Sequence, residues 1–170
     1  LKRSAPLALG AAVYQINVMV DGLMAEGLLP DGGPTCYYYA GRLQQFPVAM
    51  VAVAATSAVF PRLQAHAHGR DFLATRKLHD RTQRAIAFWA LPATLGLWVL
   101  AEPVVSVCLG GGEFGAEGVK RTSQALRFLT LTILPVGASG LLARTYYSMG
   151  DMKTPVRISS AMLIINVVLN

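Results

Sequence analysis

Apolar residues gather into five long runs separated by short breaks that are polar or rich in glycine and proline. A membrane-spanning helix needs about 20 mostly apolar residues. Residues 6–29, 35–60, 85–101 and 124–147 meet or approach that length, and a fifth run covers 155–170. The third run is short, with Arg84 before it and Glu102 after it marking water-facing ends. Pro30-Asp31-Gly32-Gly33-Pro34 is turn chemistry and Gly110-Gly111-Gly112 a flexible corner. Residues 61–84 differ: Arg62, Arg70, Arg76, Lys77, Arg81 and Arg84 alternate with Leu63, Phe72, Leu73 and Leu78, the pattern of an amphipathic helix lying on a membrane surface. Pro47, Pro92 and Pro135 each fall inside a run, where a missing N–H kinks a helix, and are candidate hinges. The pattern predicts an all-α polytopic transmembrane bundle with about five spanning helices and one cytoplasmic surface helix.

Composition sharpens this. Hydrophobic residues make up 54% and charged residues 14% of the chain, with a mean hydropathy of +0.45. Soluble domains carry about 25% charged residues, so an ordinary soluble domain is excluded. The net charge of +6 does not indicate nucleic acid, because the basic residues lie between the apolar runs and are not interleaved with aromatics on one face. Their placement follows topology. Lys and Arg are present in the amino-terminal segment, absent from 29–34, dense in 61–84, few at Lys120 and Arg121, and present again at Arg144, Lys153 and Arg157. Cytoplasmic loops carry the excess of such residues, which places the amino end, 61–84 and the 149–155 turn in the cytoplasm.

The first run is too long for a signal peptide and resembles the others, so none reads as removable. Position 1 is not Met and the last run ends without a helix stop, so the chain is expected to be one membrane-embedded segment, 1–170, of a longer polypeptide. Cys36 and Cys108 have neither CxxC spacing nor a histidine at ligand spacing and read as buried free thiols. His66, His68 and His79 read as solvated surface, because i,i+2 spacing puts the first two on different faces. No pattern calls for a metal or other cofactor.

An ionisable group at the centre of a span costs about 2.5–3.5 kcal/mol on insertion scales and is a functional candidate by default. Asp21 and Arg42 qualify. Counted from the turn between the first two runs, both lie roughly 10–12 Å below the outer surface at 1.5 Å per residue. Two readings stand: a structural ion pair between neighbouring helices, or an Arg42 that offers its planar fork of donors to a phosphate or carboxylate while Asp21 holds it. Gln15 and Asn17 in the first run, and Gln44 and Gln45 beside Arg42, either bond between helices or line a wet cavity. Arg127 and Arg144 sit near helix ends, where long side chains reach the interface. Tyr37, Tyr38 and Tyr39 fit an aromatic belt.

The runs Ala12-Val13-Tyr14-Gln15-Ile16-Asn17-Val18-Met19-Val20-Asp21, Tyr38-Tyr39-Ala40-Gly41-Arg42-Leu43-Gln44-Gln45-Phe46-Pro47, Leu91-Pro92-Ala93 and Asp151-Met152-Lys153-Thr154-Pro155-Val156 carry a resemblance. In this order and spacing the chain resembles the MurJ/MviN lipid II flippases of the multidrug/oligosaccharidyl-lipid/polysaccharide exporter superfamily. It resembles the start of their second lobe, roughly the seventh to eleventh helices. The resemblance implies transport of the undecaprenyl-pyrophosphate-linked peptidoglycan precursor across the bacterial inner membrane by alternating access. It implies membrane lipids and a first lobe of the same chain as partners, Arg42 as substrate contact, and Asp21 as its support. Gly41 departs from the pattern, since many members carry Asp there. So does Gly110-Gly111-Gly112-Glu113-Phe114, where many carry a basic residue. An exporter of another polyprenyl-linked oligosaccharide shares these features. A membrane enzyme acting on polyprenyl phosphates would need a carboxylate cluster that the scattered Glu26, Asp31, Glu102, Glu113 and Glu117 do not supply.

Overall fold

The computed structural model describes residue 15, residue 19, residue 22, residue 27, and residues 32–111 and 114–169. The expected first span, 6–29, therefore lies almost wholly outside the described residues. From residue 32 the described elements are all helical: α1 (Gly33–Val48), a π segment (Ala49–Val53), α2 (Ala54–His68), α3 (Phe72–Val99), α4 (Ala101–Leu109), α5 (Ala116–Thr130), α6 (Ile133–Ser148) and α7 (Lys153–Leu169).

α1, the π segment and α2 form one continuous helix of 36 residues, Gly33–His68, long and apolar enough to cross a membrane. α3 with α4, bent by 68°, and α5 with α6, bent by 42°, each pass the same test as a broken pair. The expected runs at 35–60, 85–101 and 124–147 fall on these three units, and the run at 155–170 falls on α7. The expected surface helix over 61–84 is not a separate element. It is the end of α2 and the start of α3, joined at Gly69–Asp71 into a hairpin. The Asp71 carboxylate accepts from the Ala74 N–H at 2.9 Å and caps α3.

Proline accounts for the breaks. Pro103 has no N–H for the Val99 carbonyl and Pro135 none for Leu131, and the bends fall between α3 and α4 and between α5 and α6. Pro92, an expected hinge, lies inside α3 without breaking it. Pro47 is the penultimate residue of α1, one residue before the π segment, where the Ala54 N–H reaches back five residues to the Ala49 carbonyl. That wide turn sets register. Ala40 and Ala52 are both buried, yet twelve residues at about 100° each would turn them roughly 120° apart. Absorbing one residue in the π turn returns them to about the same side.

Helices in lipid gain little from the hydrophobic effect when they associate, so close packing through small residues has to hold them. α1, α4 and α5 meet around Ala40, Ala101, Val105 and Leu126, and α2, α3 and α6 around Leu63, Ile86 and Leu141. The buried polar residues of the described chain are Ser and Thr. Most return their hydroxyl to a carbonyl of their own helix, as Thr56 does to Ala52 at 2.7 Å and Thr82 to Leu78 at 2.8 Å. Gly137 of α6 is the tightest glycine approach to a neighbouring helix among the described residues: a methyl group there would lie 2.7 Å from Ile86 Cγ2 and 3.3 Å from Ala52 Cβ. Gly137→Val should therefore force α6 away from α3 and the π segment, costing about 1–3 kcal/mol. Thermal unfolding of the full-length protein in detergent should register a lower midpoint, with Gly137→Ala intermediate.

Candidate substrate-facing site

One turn of α1 separates what is buried from what is offered. Gly33, Cys36 and Ala40 are buried on one face. Arg42, two residues on from Ala40, turns by about 200° to the opposite side. Tyr38, Arg42, Gln45 and Ala49 follow one another at helical spacing, and all four are exposed. Phe46 and Met50 flank this stripe, also exposed.

Arg42 is held within its own helix. Its Nε and Nη2 donate to Tyr38 Oη at 3.0 and 2.6 Å, and its guanidinium carbon lies 4.9 Å from the centre of the Tyr38 ring. Asp21 and Asn17, the expected support and polar companion, lie outside the described residues. Gln15 is helical and exposed, and Gln45 shares the exposed stripe. The structure thus brings Gln45 onto the face of Arg42 and gives Arg42 a partner, Tyr38, that sequence reasoning assigned to the aromatic belt. Tyr39 instead packs edge-on against Phe114, with ring centres 5.8 Å apart.

Gln44 behaves differently from Gln45. Its side-chain amide donates to Thr132 Oγ1 at 2.7 Å and to the Leu129 carbonyl at 3.4 Å, spanning the break between α5 and α6. Thr94 of α3 donates to the Thr130 carbonyl at 3.3 Å from the other side. Gln44 is thus a helix-to-helix tie rather than part of the exposed stripe. Arg127 lies 3.7 Å from Glu102 and over the Trp98 ring at 5.9 Å, so it pairs as well as reaching outward.

Two expectations are corrected. Cys108 is exposed on α4, whereas Cys36 is buried as expected. α4 turns away from α3 and presents Cys108 on a side that no described helix covers. His79 is only partly exposed and ties α3 to α6 through Thr145 Oγ1 at 2.9 Å. The Thr145 Oγ1 also lies 2.9 Å from the Leu141 carbonyl of its own helix.

A groove of about 490 Å³ opens between α1 and α5, lined by Gly33, Cys36, Tyr37, Lys120, Gln124 and Phe128 among others. Composition gave no hint of it, because its walls come from two distant runs. Arg42 does not line it.

The 151–155 turn is structural. Asp151 Oδ1 accepts from the Lys153 and Thr154 N–H groups, both at 3.0 Å, and Oδ2 accepts from the Thr154 hydroxyl at 2.6 Å. These bonds, led by the Thr154 hydroxyl, hold the Asp151 carboxyl below its ordinary range. A lowered carboxyl makes its contribution above the unfolded value and loses it as pH falls through the folded one. Asp151→Ala should speed hydrogen exchange at the Lys153 and Thr154 amides several-fold at neutral pH, and Asp151→Asn should keep most of the protection. Wild-type protection of these amides should weaken only in acid, below pH about 4.

Comparison with known proteins gives a consistent set of matches. The family model "Lipid II flippase MurJ" matches residues 1–170. A protein of Vibrio cholerae described as a probable lipid II flippase MurJ is 34% identical over 168 residues, covering 97% of this chain and 31% of that protein. One of Bdellovibrio bacteriovorus with the same description is 31% identical over 169 residues, covering 95% and 31%. Among solved structures, a lipid II flippase MurJ in an inward closed conformation superposes with a TM-score of 0.82 at 22% identity, covering 94% of this chain and 33% of that one. The chain spans about a third of the length of the relatives it matches.

Proposed function

The chain belongs to the MurJ family of lipid II flippases, and on that premise we propose that the protein carrying it moves a diphosphate-linked lipid precursor of peptidoglycan from the cytoplasmic to the outer leaflet. In this reading the chain is the opening part of the second lobe in the bacterial inner membrane, the rest of the polypeptide closes the cavity, and transport needs no chemical step. The oriented ends are consistent with it. The α2–α3 hairpin carries exposed Arg62, Arg70, Arg76, Lys77, Arg81 and Arg84 and would lie in the cytoplasm, beside the turn before α7.

The observation that carries the proposal is the exposed Arg42–Gln45 stripe on the side of α1 opposite its packed face. A charged fork turned to lipid is costly. The same fork turned to a wet cavity gives a diphosphate the partner it lacks in hydrocarbon. Arginine suits this role better than lysine, since its planar donors match two oxygens at once.

The test is Arg42→Ala and Arg42→Lys in the full-length protein at equal membrane abundance, scored by the amount of lipid II accessible on the outer face. Ala should lower flipping roughly tenfold or more, and Lys should restore only part. Normal flipping by both variants would remove Arg42 from the substrate path.

A further inference from the structure

We propose that Tyr38 is a positioning residue for Arg42 and itself a hydrogen-bond donor to the diphosphate, so that the two side chains read charge and not sugar. This rests on Arg42 being the substrate-facing cation. Tyr38 and Arg42 are four residues apart on α1 and therefore on one face. Arg42 gives Tyr38 Oη two bonds, from Nε at 3.0 Å and Nη2 at 2.6 Å. A guanidinium has five N–H donors. With two committed, three remain, both on Nη1 and one on Nη2. They form the end of the fork that points away from Tyr38.

The phenol oxygen accepts two bonds, which fills its lone pairs and leaves only its O–H to offer. Tyr38 is 55% exposed, so that hydrogen is reachable from outside the helix. The pair then presents four donors and no acceptor. Diphosphate oxygens are acceptors throughout and satisfy such a patch completely. A sugar hydroxyl brings its own donor, which finds nothing to meet. The ring contact at 4.9 Å holds the guanidinium beside Tyr38 before substrate arrives, so less side-chain freedom is lost on binding.

The experiment uses the full-length protein reconstituted in vesicles at equal abundance and measures lipid II flipping against substrate concentration. Tyr38→Phe keeps the ring and removes the oxygen. It should raise the half-saturating concentration about fivefold, roughly the worth of one hydrogen bond, with the maximal rate within about twofold of wild type. Tyr38→Gln, which returns an acceptor oxygen, should fall between them. In an Arg42→Lys background Tyr38→Phe should cost less, about twofold, because a point-like ammonium has no fork edge to orient and only the phenol's own donor is lost. A purely structural Tyr38 would give the same loss in both backgrounds, and that outcome overturns the inference, as does a Tyr38→Phe protein indistinguishable from wild type. If Arg42→Ala flips normally, the reading of Arg42 and this inference fall together. If Arg42→Ala fails while Tyr38→Phe saturates like wild type, only the role of Tyr38 falls.

Discussion

Hydrocarbon offers a peptide group no partner, so every backbone N–H and C=O that proline leaves unmatched must be met from inside the protein. The shape of this chain follows from how each case is resolved. At Pro103 and Pro135 the helix breaks and bends. At the second break, carbonyls of Leu129 and Thr130 are met by Gln44 from one neighbour and Thr94 from another. At Pro47 the helix does not break but widens for one turn into a π segment. The two breaks and the π segment therefore decide where the bundle bends, which helices are tied together, and which residues of the long helix are buried.

The same constraint separates packing from chemistry. Buried positions of the described chain are filled by aliphatic residues, small residues, and Ser and Thr, most of which bond to their own helix. Such an interior asks nothing of pH or salt. Among the described residues, charged side chains are confined to the exposed face of α1, the ends of the helices and the hairpin that joins α2 to α3. Because the core does not use Arg42, the arginine is free to meet a group that comes and goes.

Much of this was legible in the sequence, and the limits have physical causes. Long apolar runs announced the helices, since length and hydropathy are local properties. Boundaries were harder. A basic, mixed segment such as 61–84 has the same composition as a surface helix and as two helix ends meeting at a turn, and only Gly69 and Asp71 distinguish them. The π segment was invisible because residues 48–55 are apolar on every side, leaving no periodicity to slip. Arg42 stood out through the cost of its charge. Its tie to Tyr38 did not, because three consecutive tyrosines suit an aromatic belt equally well. Gln44 and Gln45 are adjacent and chemically identical, and only the fold says that one binds the α5–α6 break while the other is exposed.

The 36-residue helix has a mechanical consequence. It is about 54 Å long at 1.5 Å per residue, and one of its tight packing points, Ala52 beside Gly137, lies between its ends. A stiff rod gripped between its ends is a lever. Arg42 lies about 15 Å from that fulcrum on one arm and His68 about 24 Å on the other. A rocking of roughly 5° would carry Arg42 a little over 1 Å and the hairpin tip about 2 Å in the opposite direction. Displacement at the hairpin arm thus exceeds displacement at the arginine, and a push on the hairpin reaches the arginine reduced in distance and multiplied in force.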